Sequence, residues 1–252
     1  MAVDFRKEGR VAVFTLNRPE ARNAVNEEVS TEMENHLDVF EADPDLWVGV
    51  IAGEGPVFCA GADLKAIAEG RNISTERGGF AGLVQRDRVK PLIAAVDGPA
   101  LAGGLEVVLS CDLVVASTAS RFGIPEVKRS LIAAAGGLFR LPRAVPWNIA
   151  MEMALTGDPI TVEQAHHFGL VNQVVQPGEA LTGALAMAER ISVNAPLAVR
   201  KSREVMIASR FADDATAWRL STEGIAAMFK TEDFAEGPRA FIEKRAPVWK
   251  GR

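Results

Sequence analysis

The chain has 252 residues, 48% of them hydrophobic and 24% charged, with a net charge of −5. That length and apolar fraction suit one large domain, or one domain with an appendage, able to bury a sizeable core. The acidic balance and the scattered lysines and arginines argue against a nucleic-acid or anionic-membrane partner, although a local basic patch for a phosphorylated ligand stays compatible with them.

The two cysteines, Cys59 and Cys111, have no metal-ligand spacing and are too few for a disulfide framework, which favours a reducing compartment. The segment Met1-Ala2-Val3-Asp4-Phe5-Arg6 lacks an apolar signal stretch, and apolar runs such as Leu92–Val96 are far too short to span a bilayer. A cytoplasmic protein without a membrane partner is therefore expected.

In chain order, Val11–Leu16 is a short apolar, β-branched run and predicts a strand. Glu27 to Glu41 predicts a helix, because Val29, Met33, Leu37 and Phe40 share one face. Val48–Ala52 predicts another strand, followed by the small-residue turn Phe58-Cys59-Ala60-Gly61-Ala62-Asp63 and a helix starting near Asp63. The stretch from Glu69 to Gly79 is the most flexible-looking segment. Leu92–Val96 and Leu113–Ala116 predict strands around a helix over Gly103–Ser110. Pro146 to Leu155 predicts a helix, and Leu170 to Val175 a strand. Beyond Pro196 no strand signal remains, and helices are predicted over Leu197–Ser209, Asp213–Phe229 and Thr231–Lys244. Strands alternating with helices imply an α/β layered core over residues 1–195, with a helical C-terminal region over 196–252. Trp218, Met228, Phe229, Phe234 and Phe241 must be buried on that core or on another subunit.

Three local patterns carry possible chemistry, and each has a plainer reading. The turn Phe58–Asp63 can present bare backbone N–H groups to a ligand oxygen, or it can be a tight turn whose Asp63 caps a helix. Cys59 has no histidine in a partnering context and is a poor nucleophile candidate. Gly103-Gly104-Leu105-Glu106 opens a helix, so the Gly103 N–H points out of a positive helix end that favours a developing oxyanion. Glu106 in that first turn is equally compatible with simple capping, and the glycines with close packing. Glu126, after Pro125, lies among glycine and apolar residues, where burial would raise its pKa; a solvated turn glutamate is the alternative.

Those segments together, with Cys111-Asp112 and Phe122-Gly123-Ile124-Pro125-Glu126, resemble the enoyl-CoA hydratase/isomerase (crotonase) superfamily. Leu16-Asn17-Arg18-Pro19-Glu20-Ala21-Arg22-Asn23-Ala24, Ala165-His166-His167-Phe168-Gly169-Leu170-Val171 and Phe241-Ile242-Glu243-Lys244-Arg245 fit as well. The resemblance covers nearly the whole chain. It implies a crotonase-like spiral of ββα units whose helical C-terminal region builds trimers, often paired into hexamers. It also implies a coenzyme A thioester ligand and no separate cofactor or metal. The amides of Ala60 and Gly103 would form the oxyanion hole, and Ala60, Gly61, Ala62 and Asp63 would line the thioester path. Arg22 and Ala24 match positions near the nucleotide of CoA. Phe241 and Lys244 match tail positions that reach a neighbouring subunit's ligand.

Glu106 and Glu126 match both acid/base positions of family hydratases, which favours water addition to, or removal from, a 2,3-unsaturated acyl-CoA, with the split of roles open. Double-bond isomerisation, a carnitinyl-CoA-type dehydration and a non-catalytic acyl-CoA-binding protein are the alternatives. Two departures stand out: Ala102 replaces a glycine of many relatives, and Ala133-Ala134-Ala135-Gly136-Gly137 replaces Pro-Gly-Ala-Gly-Gly. No tyrosine is present, so family reactions that depend on a catalytic tyrosine are not expected.

Overall fold

The computed structural model describes residues 1–252. In chain order its elements are β1 (Val3–Glu8), β2 (Val11–Leu16), α1 (Glu27–Ala42), β3 (Val48–Gly53), α2 (Leu64–Ala68), β4 (Ser74–Thr75), β5 (Gly79–Phe80), β6 (Leu92–Val96), β7 (Ala100–Leu101), α3 (Gly103–Ser110) and β8 (Leu113–Ser117). There follow β9 (Arg121–Gly123), α4 (Gly137–Ala144), α5 (Trp147–Thr156), β10 (Ile160–Thr161), α6 (Val162–His167), β11 (Gln173–Val175), α7 (Ala180–Ser192), α8 (Pro196–Ser209), α9 (Asp214–Met228) and α10 (Glu232–Ile242).

The main sheet has six strands in the order β1-β2-β3-β6-β8-β11, parallel throughout except for the antiparallel β1–β2 hairpin. Its inner strands, β2, β3, β6 and β8, are apolar on both faces because both are covered. Side chains alternate between the two sides. Phe14, Ile51, Ala94 and Ala116 join one core with Leu37 and Phe40 of α1. Val13, Val50, Ala95 and Val115 join a second core with Ala180, Ala184 and Ala188 of α7. A smaller sheet, β10-β9-β7, stands apart and carries the backbone that leads to Glu126.

The predicted strands and helices are present, with informative exceptions. The strand expected from Leu170 begins only at Gln173. Gly169 adopts φ 85°, and the Leu170 and Val171 amides both donate to the Ala165 carbonyl, so this stretch closes α6 instead of entering the sheet. The flexible-looking Glu69–Gly79 stretch contains most of a β4–β5 hairpin tied to α1: Ser30 Oγ donates to the Ile73 carbonyl at 2.7 Å, and Thr75 Oγ1 to Glu34 Oε2 at 2.6 Å. Nine elements had no signal strong enough to predict them: the strand β1, the short strands β4, β5, β7, β9 and β10, and the helices α4, α6 and α7.

The helices α8 to α10 contribute little to either core, and Met206, Trp218, Phe229, Phe241 and Ile242 are all exposed. Arg203 docks α8 by donating to Asp112 at 2.9 Å and to the Arg88 carbonyl at 2.5 Å. No helix is long and apolar enough to cross a membrane, and no group of three or more His, Cys, Asp or Glu side chains is arranged to hold a metal ion.

Candidate active site

Two backbone segments run side by side at the heart of the site. Cys59 bridges to Ala100 in parallel, and the Leu101 amide donates to the Cys59 carbonyl at 3.0 Å. This brings Gly61 against Gly103: a Cβ added to Gly61 would lie 3.0 Å from the Gly103 nitrogen and 2.8 Å from the Ala102 Cβ. A Cβ on Gly104 would sit 2.1 Å from the Cys59 carbonyl oxygen. Glycine is required at both places by close approach of backbone to backbone.

The amides in these segments differ in what they can offer a ligand. The Ala60 N–H donates to the Arg22 carbonyl at 3.0 Å. It is therefore engaged inside the protein, and the expectation that it forms half of an oxyanion hole is corrected on that ground. The Ala62 N–H has no acceptor in the protein, and neither has that of Gly103, the first residue of α3. Free amides at the first turn of a helix, with the helix dipole behind them, favour negative charge. The open donors on the two facing segments thus include Ala62 and Gly103.

Ala102 holds this arrangement in a costly conformation. Its φ of 51° and ψ of −128° fall where glycine is normally required, at a cost of roughly 1–3 kcal/mol. Its amide donates to the Gly123 carbonyl at 2.9 Å, and its carbonyl accepts from Glu106 N at 3.2 Å. One residue therefore connects the approach to Glu126, the first turn carrying Glu106 and the peptide that bears the Gly103 N–H. An alanine at this position is a strained choice.

The two carboxylates are brought together by the pairing of β7 with β9, in which Leu101 faces Gly123. Glu106 is 3% exposed and accepts a hydrogen bond from the Gly137 amide at 2.8 Å. Burial pushes its pKa up to about 7; the neighbouring Glu126 charge adds to this, while the Gly137 and Ala135 amides and Arg140 pull the other way. Glu126 lies in a 3-10 turn, Pro125–Arg129, and burial raises its pKa too. Its Oε2 is buried with no hydrogen-bond partner in the protein. A buried carboxylate oxygen left open is costly unless a ligand or water meets it. Glu106 is thus no mere cap, and Glu126 no solvated turn residue.

The remaining expected residues divide cleanly. Arg22 and Ala24 do lie beside the Ala60–Asp63 segment, because Val25 bridges to Ala62 and the Val25 amide donates to the Gly61 carbonyl at 2.8 Å. Asp63 caps α2 through the Lys65 and Ala66 amides and pairs with Arg18 at 3.0 Å, so its carboxylate is fully engaged in shaping the turn. Arg18 also donates to the Ala24 carbonyl at 2.5 Å, a bracing role not anticipated from its position in the Asn-Arg-Pro motif. The Cys59 thiol donates to the Asn23 carbonyl, and burial pushes its pKa up to about 12, which removes it as a nucleophile. Phe241 and Lys244 are exposed on or beyond α10 and do not join the glutamates within one chain. The Gly137 amide, which holds Glu106, was also missed, since its role depends on a contact 31 residues apart.

A cavity of about 810 Å³ lies elsewhere: Leu109, Cys111, Arg140, Arg143, Arg200 and Arg203 help to line it, and neither glutamate does.

Comparison with known proteins gives the chain its family. The profile of the Enoyl-CoA hydratase/isomerase family matches residues 6–252. The chain is 39% identical over 253 residues to Enoyl-CoA hydratase EchA19 of Mycobacterium tuberculosis, covering 98% of this chain and 95% of that protein. It is 39% identical over 254 residues to the carnitinyl-CoA dehydratase of Salmonella typhi, covering 98% and 97% respectively. A crystal structure of an enoyl-CoA hydratase from M. tuberculosis H37Rv superposes with a TM-score of 0.97 at 46% identity, covering 100% of this chain and 99% of that one. Profile, sequence relatives and fold agree along the whole chain, which belongs to the enoyl-CoA hydratase/isomerase (crotonase) family.

Proposed function

We propose that the protein catalyses reversible hydration of a 2,3-unsaturated acyl-CoA to a 3-hydroxyacyl-CoA. The observation that carries this reading is the pair of glutamates with raised pKa values, Glu106 buried and Glu126 half-buried with an open carboxylate oxygen, next to two amides without acceptors. Water addition needs both kinds of group. As the water oxygen bonds to C3, one carboxylate takes its proton, electron density moves from the C2=C3 bond onto the thioester oxygen, and the other carboxyl delivers a proton to C2. The Ala62 and Gly103 amides receive the enolate oxygen. Each amide is expected to contribute roughly 10²–10³-fold and each carboxyl roughly 10²–10⁴-fold. No electrons are transferred to or from the substrate, so the chemistry itself asks for no redox cofactor. The glutamates are assigned jointly, and the division of acid and base between them stays with the pair.

Elimination of water from a carnitinyl-type 3-hydroxyacyl-CoA is the same reaction run backwards on a cationic acyl group, and the carnitinyl-CoA dehydratase relative supports that second reading. The exposed apolar side chains of α8 to α10 support assembly into trimers or hexamers, in which Phe241 and Lys244 would reach a neighbour's CoA. A screen following loss of the conjugated thioester absorbance tests the proposal across short, long, branched and cationic enoyl-CoAs. Hydration of at least one is expected. A protein that shifts double bonds but hydrates none of them would be an isomerase, and one that only binds them a scaffold.

A further inference from the structure

The ring of Phe80 rests directly on Gly103. A Cβ added to Gly103 would fall 2.4 Å from Phe80 Cζ and 2.6 Å from Cε1, so the ring fills the space that any other residue's side chain would need. Phe80 is 8% exposed and is presented by a turn with almost no freedom. Gly79, Ala81 and Gly82 all have positive φ, at 66°, 57° and 63°. A Cβ on Gly82 would lie 2.1 Å from the Ser30 carbonyl oxygen of α1, and one on Gly78 would lie 2.2 Å from the Gly82 carbonyl oxygen. The Gln85 amide closes the turn on the Gly78 carbonyl at 2.8 Å, and the Gly78 amide donates to Thr75 Oγ1 at 3.0 Å. Gly78 to Val84 are all buried, and the effect of this constraint is to press one ring against one glycine.

On the other side of the same peptide stands Ala102, in a backbone conformation that an alanine does not adopt unaided. Its methyl lies towards Gly61, and its carbonyl is fixed by the Leu105 and Glu106 amides at 2.9 and 3.2 Å. A strained peptide persists only where its surroundings over-determine it. We propose that Phe80 is a positioning residue: wedged on the Gly103 Cα by a turn pinned to α1, it holds the Ala102–Gly103 peptide so that the Gly103 N–H stays aimed at the thioester oxygen. The inference rests on the hydratase reading above. It assigns to Phe80 no contact with the reacting atoms; the ring acts only through Gly103.

Small displacements of a reacting geometry are expensive, with about 10²-fold lost for about 1 Å. Phe80→Ala is therefore expected to lower kcat about 30–100-fold while KM and the affinity for a saturated acyl-CoA stay within about threefold. Phe80→Leu, which keeps apolar volume but not the flat ring face, should fall between this variant and the parent. A positioning role also has a spectroscopic signature. The carbonyl stretch of a bound acyl-CoA thioester, lowered in frequency by the parent protein, should move back towards its solution value in both variants. Phe40→Leu, in the core between α1 and the sheet, serves as the comparison: it should lower the melting temperature and leave kcat and the carbonyl frequency unchanged. If Phe80→Ala does not fold, the Phe80→Leu kinetics and carbonyl frequency decide the matter. Parent-like kcat and frequency in the folded Phe80 variants would overturn the inference while leaving the hydratase reading intact. A parent protein that turns over no enoyl-CoA or 3-hydroxyacyl-CoA would instead sink the hydratase reading.

Discussion

The segments that carry the two glutamates are built on opposite principles. Glu106 sits in the first turn of α3, fully buried, with its carboxylate held by the Gly137 amide and its backbone fixed by Ala102. Glu126 sits in a 3-10 turn that ends in a left-handed Ser130, is half-buried, and keeps one carboxylate oxygen without a partner. One acid is over-determined by the fold and the other is left to its ligand. In the proposed hydration, that asymmetry would suit a pair of carboxylates that shares one water.

The sharpest way to break the comparison is to neutralise each acid in turn. Glu106→Gln and Glu126→Gln should each lower turnover roughly 10²–10⁴-fold, with acyl-CoA affinity largely kept. Steady-state kinetics beside calorimetric titration checks this, and undiminished turnover in both variants would remove the glutamates from the mechanism.

The next effect in size concerns the shared oxyanion peptide. Gly103→Ala drives a methyl into the Phe80 ring. Overpacking of this kind costs about 1–3 kcal/mol, and displacing one amide donor should cost roughly 10²-fold in kcat. Denaturant melts and kinetics on the same preparation read both.

The over-determined acid should also leave a mark on stability. The Glu106 pKa rises from 4.5 to about 7 on folding. Between those values the folded protein holds more protons than the unfolded chain, so stability is complete below about pH 4.5 and falls as pH rises towards and through 7. The loss is on the order of 3 kcal/mol at most. Glu106→Gln should flatten this part of the stability–pH curve and raise the melting temperature above pH 7. Glu126 is raised in the same direction but is less buried, so Glu126→Gln should flatten the curve less. The reverse ranking would contradict the contrast drawn between the two segments.

The smallest effect expected in a dilute monomer is that of Phe241→Ala, because the side chain is 84% exposed within one chain. Its effect on KM should appear only where the protein sediments as an oligomer. Equal KM changes in monomer and oligomer would place Phe241 in its own chain's site.

Much of the fold is legible in the sequence, because β-branched runs and a repeating apolar face are physical requirements of a covered parallel sheet and its helices. What could not be read has identifiable causes. The helix α7 packs through Ala180, Ala184 and Ala188, whose small side chains let it approach the sheet closely and mark its apolar face less plainly than large ones would. The strand β1 is rich in charge and pairs at a sheet edge. In the site, both glutamates, Gly103 and the importance of the Phe58–Asp63 turn were legible. The choice between Ala60 and Ala62 was not, because it depends on the Arg22 carbonyl, supplied from a distant part of the chain. The strain at Ala102 was hidden for a related reason: an alanine before two glycines is visible in the letters, and the φ it must adopt is not.

A crystal structure with a saturated acyl-CoA bound tests the central claim most directly. The account predicts the thioester oxygen about 2.7–3.1 Å from both the Ala62 and the Gly103 nitrogens, with the carboxylates of Glu106 and Glu126 facing C2 and C3 across a shared water. A thioester oxygen bound away from those two amides, or carboxylates turned from the acyl chain, would contradict it.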